Sequence, residues 1–153
     1  MSDQITTALV PESAKRELRA MLGPYLAELS AYGEVNEDYP YFEAYWREPG
    51  VRWPYFIVND GAVIGFALVR RLSETQVQMA EFYIVPAARG ERRALEAAVR
   101  VMSNHPGDWE LTIFRRNLRA QRFWPKAIAA ASGVGVTSET HGDTVYRFSV
   151  PER

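Results

Sequence analysis

The 153-residue chain is 47% apolar and 24% charged, with a net charge of −1 at pH 7; this suits one globular domain over residues 1–153 and provides no whole-chain field for nucleic acid or a membrane surface. It contains no cysteine, which excludes disulfides, thiolate metal sites and a cysteine nucleophile. Its two histidines, His105 and His141, lie far apart beside turn residues; they read as surface residues, and no metal site is expected.

Met1 to Thr7 is polar and carries an acid, and no apolar run approaches membrane-spanning length. The expectation is therefore a soluble, cytoplasmic protein without a signal peptide. Ile5 to Val10 reads as a first strand closed by Pro11. Leu18, Met21, Leu22, Tyr25 and Leu29 recur at helical spacing, with a kink or break expected at Gly23-Pro24. Gly33 to Pro40 is a polar, acidic loop, and Tyr41 to Trp46 a short aromatic helix stopped by Pro49-Gly50. Trp53 to Val58 and Ala62 to Arg70 are strands joined through Asn59-Asp60-Gly61, a strong hairpin signal. Gln76 to Val85 continues the antiparallel meander after a turn at Ser73 to Thr75. A helix from about Glu91 to Asn104 comes next, and then a strand from Trp109 to Phe114. Asn117 to Ala131 is a helix that Pro125 should break or restart. Val134 to Thr137 and Thr144 to Val150 form a closing hairpin.

The most informative stretch is Glu81 to Ala94, EFYIVPAARGERRA. An apolar strand (Phe82, Tyr83, Ile84, Val85) stops at Pro86. A basic turn with Arg89, Gly90, Arg92 and Arg93 leads into a helix N-terminus. Unpaired N–H groups and the helix dipole make such a corner an anion site, and arginines there can fork onto phosphate oxygens. The plain alternative is a strand-turn-helix connection with solvated arginines.

Three motifs in order, GFALV at Gly65 to Val69, EFYIVPAARGERRA at Glu81 to Ala94, and NLRAQRFWPK at Asn117 to Lys126, together resemble the GNAT N-acetyltransferase superfamily over roughly Pro54 to Ala131, about half the chain. The resemblance implies an α/β single domain with a mixed sheet of about six to seven strands flanked by about four helices. It also implies acetyl-CoA as acyl donor, held by Phe82, Ile84, Val85, Arg89, Gly90, Glu91, Arg92, Arg93, Ala94, Asn117 and Trp124. The pantetheine arm would run along Phe82 to Val85. Two residues depart from the family pattern. Arg92 falls where the family motif has glycine, so its side chain either obstructs the backbone's approach to the pyrophosphate or clamps a phosphate. Obstruction displaces several hydrogen bonds together, so weak acetyl-CoA affinity is expected. Trp124 stands where the family often has a tyrosine acid; indole N–H is no usable acid, and core packing is the stronger reading. Asn117 either touches the cofactor or caps its helix, and the cap is the stronger reading.

Acetyl transfer to an amine needs a base for the ammonium proton and donors for the developing oxyanion. Glu81, inside an apolar strand where burial raises its pKa, is the base candidate; the alternative is a carboxylate paired with an arginine. Tyr83 shares its face, as an acid or as packing. Glu34, Glu37 and Asp38, beside Tyr39, Tyr41, Phe42, Tyr45 and Trp46, could hold a small, cationic amine substrate, or form a solvated loop and an amphipathic helix. Two other readings stand beside the enzyme: a non-catalytic acyl-CoA or small-ligand binding module, and an interaction protein in which a sheet edge or the last hairpin makes a homodimer.

Overall fold

The computed structural model describes residues 4–152. Seven strands form one mixed sheet: β1 (Ile5–Leu9), β2 (Arg52–Asn59), β3 (Ala62–Arg71), β4 (Gln76–Ile84), β5 (Gly107–Ile113), β6 (Val134–Thr140) and β7 (Asp143–Val150). The helices are α1 (Lys15–Leu29), α2 (Ala44–Arg47), α3 (Glu91–Ser103) and α4 (Leu118–Ala130). Strand order is β1-β2-β3-β4-β5-β7-β6. All neighbours are antiparallel except β4 and β5, which α3 connects in parallel. The β2–β3 turn places Asp60 and Gly61 at φ 49° and 86°, the left-handed pair a two-residue hairpin requires.

The sheet has a helical layer on each face. One face packs Val69, Val77, Met79, Trp109 and Leu111 against Ala98, Met102, Trp124 and Ile128 of α3 and α4. The other packs Phe56, Phe66, Leu68 and Tyr83 against Leu18, Leu22 and Leu26 of α1 and Tyr45 of α2.

Neither α1 nor α4 ends at its proline. α1 runs through Gly23-Pro24, and α4 through Pro125. Each proline removes one helical hydrogen bond, but Gly23, Pro24 and Pro125 are all on exposed faces. Leu18, Leu22 and Leu26 on one helix, and Trp124, Ala127 and Ile128 on the other, hold the opposite face in the core. Tertiary packing thus outweighs the local penalty.

Two irregularities of β4 re-aim a side chain and open the sheet. Val69 pairs with Met79 but Leu68 pairs with Glu81, so Ala80 is an extra residue on β4, a β-bulge. Met79 packs toward α3 and α4, whereas Glu81 reaches α1. Without the bulge, Glu81 would share the face of Met79. Second, β4 and β5 pair only at Gln76 to Gln78. Beyond Gln78 the two parallel strands part, and the sheet opens between them. Gly65 of the first motif lies where a Cβ would run into the Tyr83 carbonyl, so only glycine allows β3 to lie this close to β4.

Candidate active site

A cavity of about 1000 Å³ fills the opening between β4 and β5. It has two ends. The first is bounded by Phe82 to Ile84 of β4, by Arg89, Gly90, Glu91 and Ala94 around the start of α3, and by Asn117, Phe123, Trp124 and Lys126. The second is bounded by Tyr25 of α1, Tyr39 and Tyr41 of the following loop, Tyr45 of α2, Arg52, Arg70, and Glu81.

At the first end α3 begins at Gly90 without a side-chain cap, so its leading N–H groups depend on other acceptors. Arg89 is anchored by its own contacts. Its Nε donates to the Ile84 carbonyl at 2.8 Å, its Nη2 donates to both Glu28 carboxylate oxygens at 2.8 Å, and its guanidinium lies 5.5 Å from the Tyr83 ring centroid. It therefore ties the turn to α1 while bordering the cavity. Lys126 Nζ pairs with Glu91 Oε1 at 2.8 Å, bridging α4 to the first residue of α3.

Arg92 pairs with Glu96 one helical turn on, at 3.8 Å, and Arg93 donates to the Ala88 carbonyl at 3.4 Å. Neither belongs to the cavity wall, nor does Val85. The physical reason is the helix phase: within the first turn of α3, Glu91 and Ala94 face the cavity and the two arginines between them point elsewhere. Asn117 caps α4, its side-chain oxygen accepting from Ala120 N–H at 3.1 Å. Trp124 is 8% exposed and packs edge-on against Phe82 and Phe123, with centroids at 5.2 and 5.0 Å. Phe82 in turn stacks on Phe123 at 6.0 Å.

At the second end Glu81 accepts two phenolic hydrogen bonds, from Tyr25 at 2.6 Å to Oε1 and from Tyr39 at 3.0 Å to Oε2. Burial raises its pKa above the ordinary carboxylate value, while the two phenols and the charge of Arg70 pull it down. Burial also pushes both phenols up, and the neighbouring Glu81 charge adds to this, so each remains a donor at neutral pH. Tyr39 adopts φ 45°, a conformation costing a bulky residue on the order of 1–3 kcal/mol. Its bond to Glu81 is one of the contacts that hold it there. Tyr83, on the same face, is 5% exposed, packs edge-on to Tyr25 at 5.5 Å, and has its pKa raised by burial.

The acidic loop contributes only in part. Glu34, Tyr39, Tyr41 and Tyr45 border the cavity, whereas Glu37, Asp38, Phe42 and Trp46 do not. Phe42 is in the core beneath, and Trp46 donates to the Val10 carbonyl at 2.8 Å. Sequence reasoning missed Tyr25 as a ligand of Glu81, because it occupies an ordinary core position in the helical repeat. It also missed Arg52 and Arg70, which only strand register brings together.

His105 corrects a surface assignment. It is half-buried between Trp53, Tyr55 and Trp109, shares a 2.7 Å hydrogen bond with the Tyr55 hydroxyl, and its pKa is lowered to about 4 by burial and by Arg71. The chain past α3 folds back against β2, which a reading of turn residues alone does not show. Among the described residues, no group of three or more His, Asp or Glu side chains is placed to hold a metal ion, and no helix is long and apolar enough to cross a membrane.

Residues 21–128 match the model of the acetyltransferase (GNAT) family. Among curated protein sequences, none matches. Solved structures show the same fold at low identity. A domain from Methanocaldococcus jannaschii is 11% identical with a TM-score of 0.71, over 97% of this chain and 100% of that one. Spermidine N-acetyltransferase from Vibrio cholerae, solved with CoA and spermine, is 13% identical with a TM-score of 0.67, over 97% and 96%. A GNAT-family acetyltransferase from Streptococcus agalactiae is 14% identical with a TM-score of 0.69, over 97% and 96%.

Proposed function

Since the chain belongs to the acetyltransferase (GNAT) family, we propose that it moves an acetyl group from acetyl-CoA to a small amine by direct attack, with Glu81 taking the ammonium proton. The observation that carries this reading is the location of Glu81. A bulge turns this carboxylate toward the α1 face, two tyrosines orient it, and it borders the same cavity as the start of α3.

The residues at the first end fit a CoA-type ligand. The uncapped start of α3 offers its leading N–H groups, from Gly90 and Glu91 onward, to phosphate oxygens, whereas Ala94 N–H is already bonded to the Gly90 carbonyl. The edge of β4 beyond Gln78, unpaired with β5, offers backbone groups to a pantetheine amide. Phe82, Phe123 and Trp124 give its apolar parts a wall. When bound, acetyl-CoA supplies an activated acyl group.

The chain's own residues do the rest. Tyr25 and Tyr39 hold the Glu81 carboxylate in one orientation, and its raised pKa makes it a better proton acceptor than a solvated glutamate. Backbone N–H groups of the opened β4 edge are the donors at hand for the oxyanion. The Trp124 indole N–H is no usable acid, so the donor toward the departing sulfur is Tyr83, which stays neutral at physiological pH and borders the cavity. A small amine acceptor is supported by the relative that was solved with spermine.

The test is to mix the protein with acetyl-CoA and a panel of amines, following free thiol and the mass of each amine. The proposal predicts thiol release that depends on an amine and an equal amount of acetylated product. Thermal stabilisation by acetyl-CoA without thiol release on any amine would make the protein a binding module instead.

A further inference from the structure

On the sheet face covered by α1, Arg52 of β2 and Arg70 of β3 are directly paired in register. Like charges placed opposite one another on neighbouring strands repel, and compensation here is incomplete. Arg52 Nε reaches Glu48 Oε1 at 3.2 Å, and its guanidinium lies 5.5 and 5.4 Å from the ring centroids of Tyr41 and Tyr45. Its side chain is only 13% exposed. Arg70 Nε donates at 2.6 Å to Gln78, which is neutral. Among the described residues, Arg70 has no ion-pair partner within 4.0 Å. The Tyr45 hydroxyl is also buried, with Tyr39 and Arg52 as its polar neighbours. Both arginines border the half of the cavity that holds Glu81.

Two neighbouring guanidinium groups, of which Arg52 is ion-paired with Glu48 and Arg70 acts on Glu81 only through its charge, in a partly desolvated wall, are suited to a further anion of forked geometry. The other basic groups of the cavity lie toward the start of α3, and two of them are already paired: Arg89 with Glu28, Lys126 with Glu91. The acids left on the arginine side are Glu81 and Glu34. One end of an acceptor therefore meets negative charge and the other positive charge.

We propose that the acceptor is an amino acid-type molecule, whose amine faces Glu81 and whose carboxylate is held by Arg52 and Arg70. This rests on the acetyl-transfer reading of the cavity. It also separates this chain from a polyamine acceptor, whose second ammonium would face the arginine pair and be repelled.

Amino acids can be compared with amines that lack only the carboxylate: L-lysine with 1,5-diaminopentane, L-ornithine with 1,4-diaminobutane, and L-phenylalanine with 2-phenylethylamine. Binding is measured by calorimetry on the CoA-saturated protein, and turnover by thiol release. At least one amino acid should bind roughly tenfold or more tightly than its partner amine. Arg70→Gln should erase that preference, weakening the amino acid roughly tenfold and, with one positive charge fewer opposite their second ammonium, binding the diamines no more weakly than wild type does. Arg52→Lys, which keeps the charge but loses the fork, should weaken it in part. Equal binding of amines and amino acids, no amino-acid binding at millimolar concentration, or a preference that survives Arg70→Gln, would each overturn the inference. Arginine-dependent amino-acid binding without turnover would uphold the site and count against acetyl transfer. Turnover of diamines without arginine dependence would do the reverse.

Discussion

The two ends of the cavity are built by different means. The end at the start of α3 is assembled from one continuous segment, Phe82 to Ala94, with α4 laid beside it. The end around Glu81 draws on α1, the loop before α2, and strands β2, β3 and β4. The first is local chemistry: a strand stop, a turn and an uncapped helix. The second exists only after the sheet has formed, because Tyr25, Tyr39, Arg52, Arg70 and Glu81 meet through register and a bulge. The difference teaches where variation is cheap. An end carried in one segment can be retained while several separated elements reshape the other.

If the two ends divide the work in this way, Glu81→Gln should separate turnover from cofactor binding. Glutamine keeps the shape and its oxygen still accepts from one of Tyr25 and Tyr39, while its NH2 can only donate to the other phenol and the amide cannot take a proton. Turnover should fall on the order of 100- to 10,000-fold, with acetyl-CoA affinity within a few-fold of wild type by calorimetry. Burial already disfavours the ionised form, so the melting temperature at neutral pH should not fall. Turnover within a few-fold of wild type would make Glu81 structural.

His105 lies outside the cavity and serves as a control for pH effects. Its folded pKa of about 4 lies below its ordinary value of 6.5. Between those values the unfolded chain binds the extra proton, so stability is lost as pH falls from about 6.5 toward 4. Discounted for partial exposure, the loss is on the order of 1 kcal/mol. The raised pKa of Glu81 acts in the opposite sense, lowering stability as pH rises through its own window. Chemical denaturation across pH 4 to 7 should show a slope that His105→Asn flattens and Glu81→Gln steepens. An unchanged slope in His105→Asn would contradict the assignment.

At the end beside α3, Asn117→Ala should cost about 1 kcal/mol of unfolding free energy through the lost cap. Unchanged stability with weakened acetyl-CoA binding would instead make Asn117 a ligand contact. Arg92→Gly is the mildest change. Its side chain pairs with Glu96 outside the cavity, so the effect should be at most about 1 kcal/mol in stability, from glycine in a helix, and little in acetyl-CoA affinity. A large change in affinity, of either sign, would put Arg92 back at the pyrophosphate.

Much of the fold was legible from period and turn chemistry. The Asp60-Gly61 hairpin, the meander from Trp53 to Ile84, and the helix after Gly90 all follow from local rules that the structure obeys. Neither Pro24 nor Pro125 ends its helix, because exposure of the proline and burial of the opposite face together decide whether a helix continues. Of the site, Glu81 and Tyr83 could be placed on one face, but the bulge at Ala80 that sends Glu81 toward α1 has no signature in the residues themselves. Asn117 and Trp124 were legible as cap and core residue. Arg52 and Arg70 lie 18 residues apart in sequence and become neighbours only through the β2–β3 register.

The central claim is that one cavity seats the acyl donor at the start of α3 and presents the acceptor to Glu81. The most direct measurement is a crystal structure of the protein with CoA. The account predicts the pyrophosphate at Gly90, Glu91 and Ala94, the pantetheine between β4 and β5, and the sulfur on the way to Glu81. A pyrophosphate bound elsewhere, or a pantetheine lying outside the opening between those strands, would contradict it.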